Sequence, residues 1–266
     1  MLTIIVIAKE CIPGRVKTRL TPDLTAGQAA AVAAASLADT LEVVRTLPAD
    51  RRVLAFDGNP DNAPSEARGF EIVPQSSGGL DDRLAALFDE ATGPTLLVGM
   101  DTPQLTHEDL APVVAWAAAH TAPASWQTRS ARPVTGDAAT ESIDAWFGFA
   151  TDGGFWALAL SNPTGSLIRG VGMSQDDTGA QQLRRLHDAH LRVGMLPELT
   201  DVDTVDDAVE VAITAPTSRF ARVFATAQLH QLHQPQAQLL PQQLPQQRVT
   251  QPARAARAAR RLVSMV

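Results

Sequence analysis

The stretch LTIIVIAKECIPGRVKTRLTPDLT, residues 2–25, decides the fold that this sequence predicts. Its first seven residues form a short apolar run rich in β-branched side chains, which is typical of a strand buried on both faces of a parallel sheet. A polar segment with two prolines and a glycine follows, and it leads into an alanine-rich stretch at 25–47. That stretch predicts a helix opened by Thr25. The chain therefore begins with a strand, a long loop and a helix.

The same alternation of strands and helices continues to about residue 214. Periodicity and β-branched composition predict further strands at 52–57, 70–74, 95–101, 155–160 and 191–197. Amphipathic patterns predict helices at 80–91, 106–120, 177–190 and 204–214. Thr106 with Asp109, and Thr204, supply the N-terminal caps of two of these helices. We interpret the polar segment 127–144 as a loop or insertion. Strands that alternate with helices predict a mostly parallel sheet covered on both faces.

Length and composition place the chain among soluble α/β proteins. It has 266 residues, of which 45% are hydrophobic, enough for one domain with a complete core. No apolar run approaches the roughly 20 residues of a membrane helix, and the opening residues lack the pattern of a signal peptide. A single cysteine, Cys11, excludes an internal disulfide and a multi-thiolate zinc site. We expect a cytoplasmic protein without an integral membrane segment, and its oligomeric state is left open.

The charges divide the chain into two regions of opposite sign. Residues 225–266 carry five arginines and no acidic residue, and they are rich in Gln and Pro, so we predict a disordered tail. Residues 1–224, the predicted domain, contain 17 basic and 29 acidic side chains, a net charge of −12. General attraction to a nucleic acid is therefore not expected, and any anion must bind locally.

The loop after the first strand is the strongest local signal. The only two lysines of the chain, Lys9 and Lys17, both lie there beside two arginines. No G-x-x-x-x-G-K-[ST] or G-x-G-x-x-G motif follows the strand, which excludes an ATPase-type P-loop and a dinucleotide fingerprint. The alternative is a solvated basic turn. The residues that we predict to bind phosphate are Pro13, Gly14, Arg15, Lys17 and Arg19.

Two aspartates are candidates for a divalent-metal site. Asp101, in GMDTP at 99–103, directly follows a predicted buried strand, and ligands of open α/β sheets bind at that edge. Its hard oxygens suit Mg²⁺ or Mn²⁺ bridging a diphosphate. Asp203, in LTDVDTVDDA at 199–208, can complete the site. The alternative for Asp101 is to cap the helix that follows.

Other acidic residues are less decisive from sequence. Asp152 precedes two glycines and an apolar strand, which fits a residue exposed at the edge of a ligand crevice. An ordinary Asp-Gly turn has the same pattern. Asp206 and Asp207 fall in the first turn of a predicted helix, where carboxylates are stabilised by the helix dipole.

Four segments together resemble one family. The loop at residues 9–20 is similar to the motif K-x-P-x-P-G-x-V-K-T-R-L, with Cys11 in place of a proline. GMDTP is similar to G-S-D-x-P, residues 152–158 to D-G-G-Y/F-x-L, and residues 201–207 to D-V-D-T-x-x-D. In order and spacing, residues 1–215 resemble the glycosyltransferase-A-like nucleotide-diphospho-sugar transferases, in particular the bacterial group DUF2064, also called radical-SAM/selenodomain-associated transferase 1.

This resemblance implies a function and further site residues. It implies a three-layer α/β/α Rossmann-like glycosyltransferase-A fold, a nucleotide-activated donor, Mg²⁺ or Mn²⁺ on Asp101 and Asp203, and a small-molecule acceptor. Asp152, which would orient or deprotonate the acceptor, and Lys17 are the implied catalytic residues. The segment 74–91 resembles a family segment near the nucleotide, which implies nucleotide contacts from Gly79 and Arg83.

The resemblance leaves the reaction open. Glycosyl transfer is the first hypothesis. The same fold serves the 2-phospho-L-lactate guanylyltransferases, so nucleotidyl transfer from a nucleoside triphosphate in cofactor biosynthesis is an alternative, and nucleotide binding without turnover is another.

Overall fold

The computed structural model describes residues 2–21, 23–121 and 143–232. Most of the predicted loop at 127–144 and the predicted tail from residue 233 lie outside the described residues. No helix within the described ranges is long and apolar enough to cross a membrane.

One sheet of seven strands carries the described part of the chain. The strands are β1 (Thr3–Lys9), β2 (Arg51–Asp57), β3 (Glu71–Pro74), β4 (Thr95–Val98), β5 (Ala145–Phe149), β6 (Phe155–Leu160) and β7 (Val193–Met195). Their order across the sheet is β3-β2-β1-β4-β6-β5-β7. All neighbouring strands pair in parallel except where β6 meets β4 and β5.

The reversal of β6 determines which residues share the ligand-binding edge. The carboxyl ends of β1 and β4 lie at one edge of the sheet, since these strands are parallel neighbours. Because β6 runs the opposite way, its start at Phe155 lies at that same edge. The tight connection from β5 therefore places Asp152 beside the ends of the parallel strands.

Helices cover both faces of the sheet. They are α1 (Ala26–Thr46), α2 (Leu80–Asp89), α3 (His107–Thr121), α4 (Thr178–Asp188), α5 (Val205–Thr214) and α6 (Arg219–Leu232). On one face, Leu41 of α1 and Leu110 of α3 pack in a buried cluster with Ile4. On the other face, Phe88 of α2 and Leu186 of α4 share a cluster with strand residues. This arrangement confirms the predicted three-layer α/β/α fold with a mostly parallel sheet.

Helix α6 extends the folded part beyond the predicted end of the domain at residue 224. Phe220 and Phe224 stack with ring centroids 5.9 Å apart and are buried with residues of α1 and α5. The carboxylate of Asp39 accepts the backbone N–H groups of Arg219 and Phe220, at 3.1 and 2.8 Å, and so caps the helix. Ala227, three residues past the predicted end, is also buried. The second part of α6 lies within the segment 225–266, whose Gln- and Pro-rich composition predicted disorder and not a helix.

The predicted helix caps are present. Thr25 forms a capping box with Gln28, and Thr204 forms one with Asp207. Thr106 and Asp109 exchange the same pair of hydrogen bonds at the start of α3. These contacts satisfy backbone donors that a helix N-terminus otherwise leaves without partners.

Candidate functional site

A cavity of about 480 Å³ opens at the carboxyl edge of β1 and β4. One wall is apolar and includes Ile7, Leu84, Phe155 and Met173. The charged side chains that line the cavity are Lys9, Arg15, Lys17, Arg19, Asp101, Asp152, Asp201 and Asp203. Cations from the first loop thus face carboxylates that come from three later parts of the chain.

Backbone hydrogen bonds bring these carboxylates together. The N–H of Val202 donates to the carbonyl of Asp101 at 3.0 Å, which fixes the segment after β7 beside the end of β4. The N–H of Thr151 donates to the carbonyl of Leu199 at 3.1 Å, which holds the turn before β6 against that segment. Asp101, Asp152 and Asp203 therefore converge although they are far apart in sequence.

Lys17 lies at the centre of the charged groups. Its Nζ is 3.0 Å from Oδ2 of Asp101 and 2.9 Å from Oδ1 of Asp203, and its side chain is 9% exposed. The residue has a left-handed backbone with φ of 46°. Burial lowers the pKa of the ammonium, but the two carboxylates outweigh burial, so the net shift raises this pKa. Lys17 is a buried cation held by two aspartates.

Asp203 binds two cations at once. Its Oδ1 accepts from Lys17, and its Oδ2 accepts from Nη1 of Arg19 at 2.8 Å. Burial raises the pKa of Asp203, and the attraction of Lys17 and Arg19 exceeds this effect and lowers it overall. Arg19 is 71% exposed, so its contact is the more easily broken of the two.

Asp203 also belongs to a cluster of three carboxylates. One oxygen each from Asp152, Asp201 and Asp203 lies within 4.8 Å of the others. Burial, and then repulsion from Asp152 and Asp203, raises the pKa of Asp201 to about 7. Oδ1 of Asp201 and Oδ1 of Asp101 are buried with no hydrogen-bond partner among the described residues. A hard divalent cation fits this set of oxygen ligands.

The turn before β6 positions Asp152 and tolerates no larger residue at its first glycine. Gly153 has φ of +88°, and a Cβ there would overlap the carbonyl oxygen of Asp176. The N–H of Gly154 donates to Oδ1 of Asp152 at 2.7 Å. The N–H of Gly179, at the start of α4, donates to the carbonyl of Gly153 at 2.8 Å. The Asp-Gly turn is thus packed against α4. Asp152 both belongs to an Asp-Gly turn and lines the cavity, so the two alternatives from the sequence each describe part of its environment.

Pro13, Gly14 and Gly79, three of the residues predicted to bind the nucleotide, do not line the cavity in the described part of the chain. Pro13 and Gly14 are exposed, and the cavity is lined from Arg15 onward. Gly79 precedes α2, and its neighbour in the wall is Leu80. Contacts of Pro13, Gly14 and Gly79 with a nucleotide stay predictions.

Arg83 lies behind the cavity rather than in its wall. Its Nη1 donates to Oε1 of Gln75 at 2.9 Å. Nε2 of Gln75 donates in turn to the carbonyls of Ala8 and Ala55, both at 2.9 Å. Gln75 lines the cavity and Arg83 fixes its orientation.

Asp201 and Thr102 are among the polar residues of the cavity that sequence reasoning did not predict as site residues. Asp201 begins the D-V-D motif, and its position two residues before Asp203 was the available signal. Thr102 is 1% exposed, lines the cavity, and its hydroxyl has no hydrogen-bond partner among the described residues. Nothing in the sequence distinguishes this threonine from a helix cap. Asp207, by contrast, lies in the first turn of α5 as predicted, and its side chain accepts the backbone N–H of Thr204, the N-cap.

The sheet order, the single reversed strand and the charged cavity at the strand ends define an α/β/α fold that is shared with solved proteins. A protein of Desulfovibrio desulfuricans G20, provisionally assigned as a nucleotide-diphospho-sugar transferase, has a similar structure with a TM-score of 0.66. The two chains are 21% identical, and the alignment covers 87% of this chain and 95% of the other. The similarity supports the fold.

The sequence itself identifies the family. Residues 40–175 match the model of DUF2064, described as an uncharacterized protein conserved in bacteria. The chain belongs to this family. Rv0371c of Mycobacterium tuberculosis H37Rv is a more distant structural match, with 20% identity, coverage of 79% and 96% of the two chains, and a TM-score of 0.46. Comparison with curated proteins gave no significant match.

Proposed function

We propose that this protein is a transferase that uses a nucleotide-activated donor, and that it transfers a glycosyl group to a small-molecule acceptor with the help of Mg²⁺ or Mn²⁺. The observation that carries this proposal is the cavity in which Arg15, Lys17 and Arg19 face four carboxylates at the carboxyl ends of β1 and β4. Cations of that kind bind phosphate oxygens, and carboxylates bind the divalent ion that accompanies a diphosphate.

The metal would be held by Asp203, which contributes to both candidate ligand sets. The initial prediction pairs it with Asp101, and the cluster pairs it with Asp152 and Asp201. The chemistry that such an ion supplies when bound is neutralisation of the charge that develops on a leaving diphosphate. The buried oxygens of Asp101 and Asp201 that have no hydrogen-bond partner support a role for these residues as ligands.

The cationic loop would hold the donor phosphates. Arg15 is exposed, lines the cavity and forms no ion pair within the described part of the chain, so its guanidinium is available to an anion. Lys17 and Arg19 would stabilise the diphosphate as the bond between the sugar C1 and the phosphate oxygen breaks.

Asp152 would orient or deprotonate the acceptor hydroxyl. It is the most exposed member of the carboxylate cluster and lies next to the apolar wall at Phe155. A general base must lie within hydrogen-bond distance of the proton that it removes. Asp152 would meet this condition for an acceptor bound at the open side of the cavity.

Thermal stability of the full chain tests the proposal. The protein is melted with UDP-, GDP- and dTDP-sugars, with the parent nucleotides and with GTP and CTP, each with and without Mn²⁺. A ligand that binds only the native state raises the melting temperature. Metal-dependent stabilisation by a nucleotide sugar beyond its parent nucleotide supports glycosyl transfer. Stabilisation by GTP or CTP alone favours nucleotidyl transfer instead, and no stabilisation by any ligand contradicts the proposal.

A matched pair of variants locates the binding. R15Q removes a cation from the cavity wall, and we expect it to reduce the nucleotide-dependent shift. R45Q removes an exposed arginine of α1 that pairs with Glu42 outside the cavity, and the shift should persist. Equal shifts in both variants would place the nucleotide elsewhere.

A further inference from the structure

Lys17 occupies the position between two candidate metal ligands. We propose that Lys17 is an internal counter-cation that a divalent metal must displace, and that its displacement turns the ammonium toward the donor phosphates. Metal and donor binding are then coupled through one side chain. The inference rests on the proposed function, because it assumes that Asp101 and Asp203 serve a metal.

Lys17 and a metal compete for the same carboxylate oxygens. Oδ2 of Asp101 and Oδ1 of Asp203 both lie within 3.0 Å of the Lys17 ammonium. Oδ2 of Asp203 is bound by Arg19, and Oδ1 of Asp101 is buried. Every carboxylate oxygen of Asp101 and Asp203 that is not buried therefore forms an ion pair with Lys17 or Arg19. An ammonium and a divalent ion cannot share these oxygens, since like charges repel strongly at such distances.

The cluster of Asp152, Asp201 and Asp203 has negative charge that Lys17 and Arg19 do not neutralise directly. Asp152 and Asp201 form no ion pair within the described ranges, although each has an oxygen within 4.8 Å of Asp203. A cation that enters beside them gains attraction from all three carboxylates. This excess of negative charge would allow a metal to bind Asp203 in place of Lys17.

Once released, the ammonium of Lys17 is best stabilised by an anion in the cavity. Lys17 lines the cavity, its backbone is held in the loop, and its four-carbon stem is flexible. Its neighbours Arg15 and Arg19 are cations of the same wall, so the ammonium is stabilised there only by an anion. A donor diphosphate supplies that anion. Because coupling between two ligands is reciprocal, bound diphosphate must also strengthen metal binding.

The wild-type protein allows a direct test, because Lys9 and Lys17 are the only lysines of the chain. Reductive methylation of the full-length protein, followed by mass spectrometry, gives the modification rate of each. Lys17 is 9% exposed and Lys9 is exposed. Mn²⁺ alone should raise the rate at Lys17 severalfold, toward that of Lys9, and leave Lys9 unchanged. An unchanged rate at Lys17 with Mn²⁺ bound overturns the inference.

A variant pair measures the competition itself. Mn²⁺ affinity without nucleotide is measured by electron paramagnetic resonance for wild type, K17M and R15Q, with melting curves to show that each is folded. Both variants lose one positive charge of the cavity wall, but only K17M frees Asp101 and Asp203. K17M should bind Mn²⁺ at least about fivefold more tightly, the lower end of typical coupling between sites, and R15Q, which keeps both ion pairs of Lys17, should gain clearly less.

The outcomes separate the inference from the proposed function. Equal or weaker Mn²⁺ binding by K17M, with binding by wild type retained, overturns the counter-cation role and leaves the metal site intact. Absence of Mn²⁺ binding in wild type and in K17M overturns both. If K17M does not fold, the methylation rates decide the question on the wild-type chain.

Discussion

The glycine at the start of the turn before β6 gives a sharp test of how the site is built. Gly153 has φ of +88°, and Gly69, in the loop before β3, has φ of +91°. A Cβ at Gly69 would meet no atom of the described residues within 4 Å, whereas one at Gly153 would overlap the carbonyl oxygen of Asp176. Because the two φ values are nearly equal, alanine at either position causes similar backbone strain. Only G153A adds a steric conflict.

The magnitudes follow from these two contributions. A left-handed backbone costs a non-glycine residue about 1–2 kcal/mol, which is the whole effect expected for G69A. At Gly153 the overlap is with backbone, which cannot rotate away, and overpacking typically adds about 1–3 kcal/mol. G153A should therefore lose about 2–5 kcal/mol of unfolding free energy.

Urea denaturation of the two variants measures this difference directly. Mn²⁺ titration adds a functional readout, because relief of the overlap must move the turn that carries Asp152. We expect weaker Mn²⁺ binding by G153A and unchanged binding by G69A. Equal stability of the two variants would refute the described packing of the turn against Asp176.

Three further predictions concern other parts of the molecule. The pKa of Asp201 is raised from 3.8 to about 7, so without metal the free energy of unfolding should fall as pH rises between these values. Urea melts should show that this free energy depends less on pH in D201N. An unchanged pH dependence in D201N would contradict the shift. D152N should weaken Mn²⁺ binding if Asp152 is a ligand, whereas lost turnover with unchanged affinity would restrict it to the acceptor. Ending the chain after residue 224 removes the buried Ala227 and the last 8 of the 14 residues of α6, so this chain should melt below a chain ending at 232. Equal melting temperatures would show that these residues contribute nothing to stability.

Local patterns predicted much of the fold because the strands that build its centre are continuous apolar runs. LTIIVIA and TLLVGMD predict β1 and β4, which pair in the middle of the sheet. Strand β5, AWFGF, was not predicted, because it is short and follows a polar segment. It is a strand because it pairs with β6 and β7. Such pairing depends on other parts of the chain and cannot be read from the few residues of β5 itself.

The candidate site was only partly predictable for a related reason. Asp101 was predicted from a strand end, Asp152 from the two glycines that follow it, and Asp203 from an acidic segment that could complete a metal site. The structure brings all three to one cavity. Asp201 became prominent only through burial and the proximity of other carboxylates, which are properties of the folded chain. Arg83 has the residue type of a phosphate ligand, and in the structure its Nη1 donates to Gln75, so a contact of Arg83 with a nucleotide stays a prediction.

Lys17 and Asp203 are 186 residues apart along the chain, which affects when their ion pair can form during synthesis. At synthesis rates of 5–20 residues per second, Asp203 leaves the ribosome roughly 10–40 s after Lys17. Throughout that interval the basic loop is present without one of the two carboxylates that bury its ammonium, and for part of it without Asp101 as well. The charged centre is consequently completed near the end of domain synthesis, and the nascent chain carries a solvated cationic loop until then.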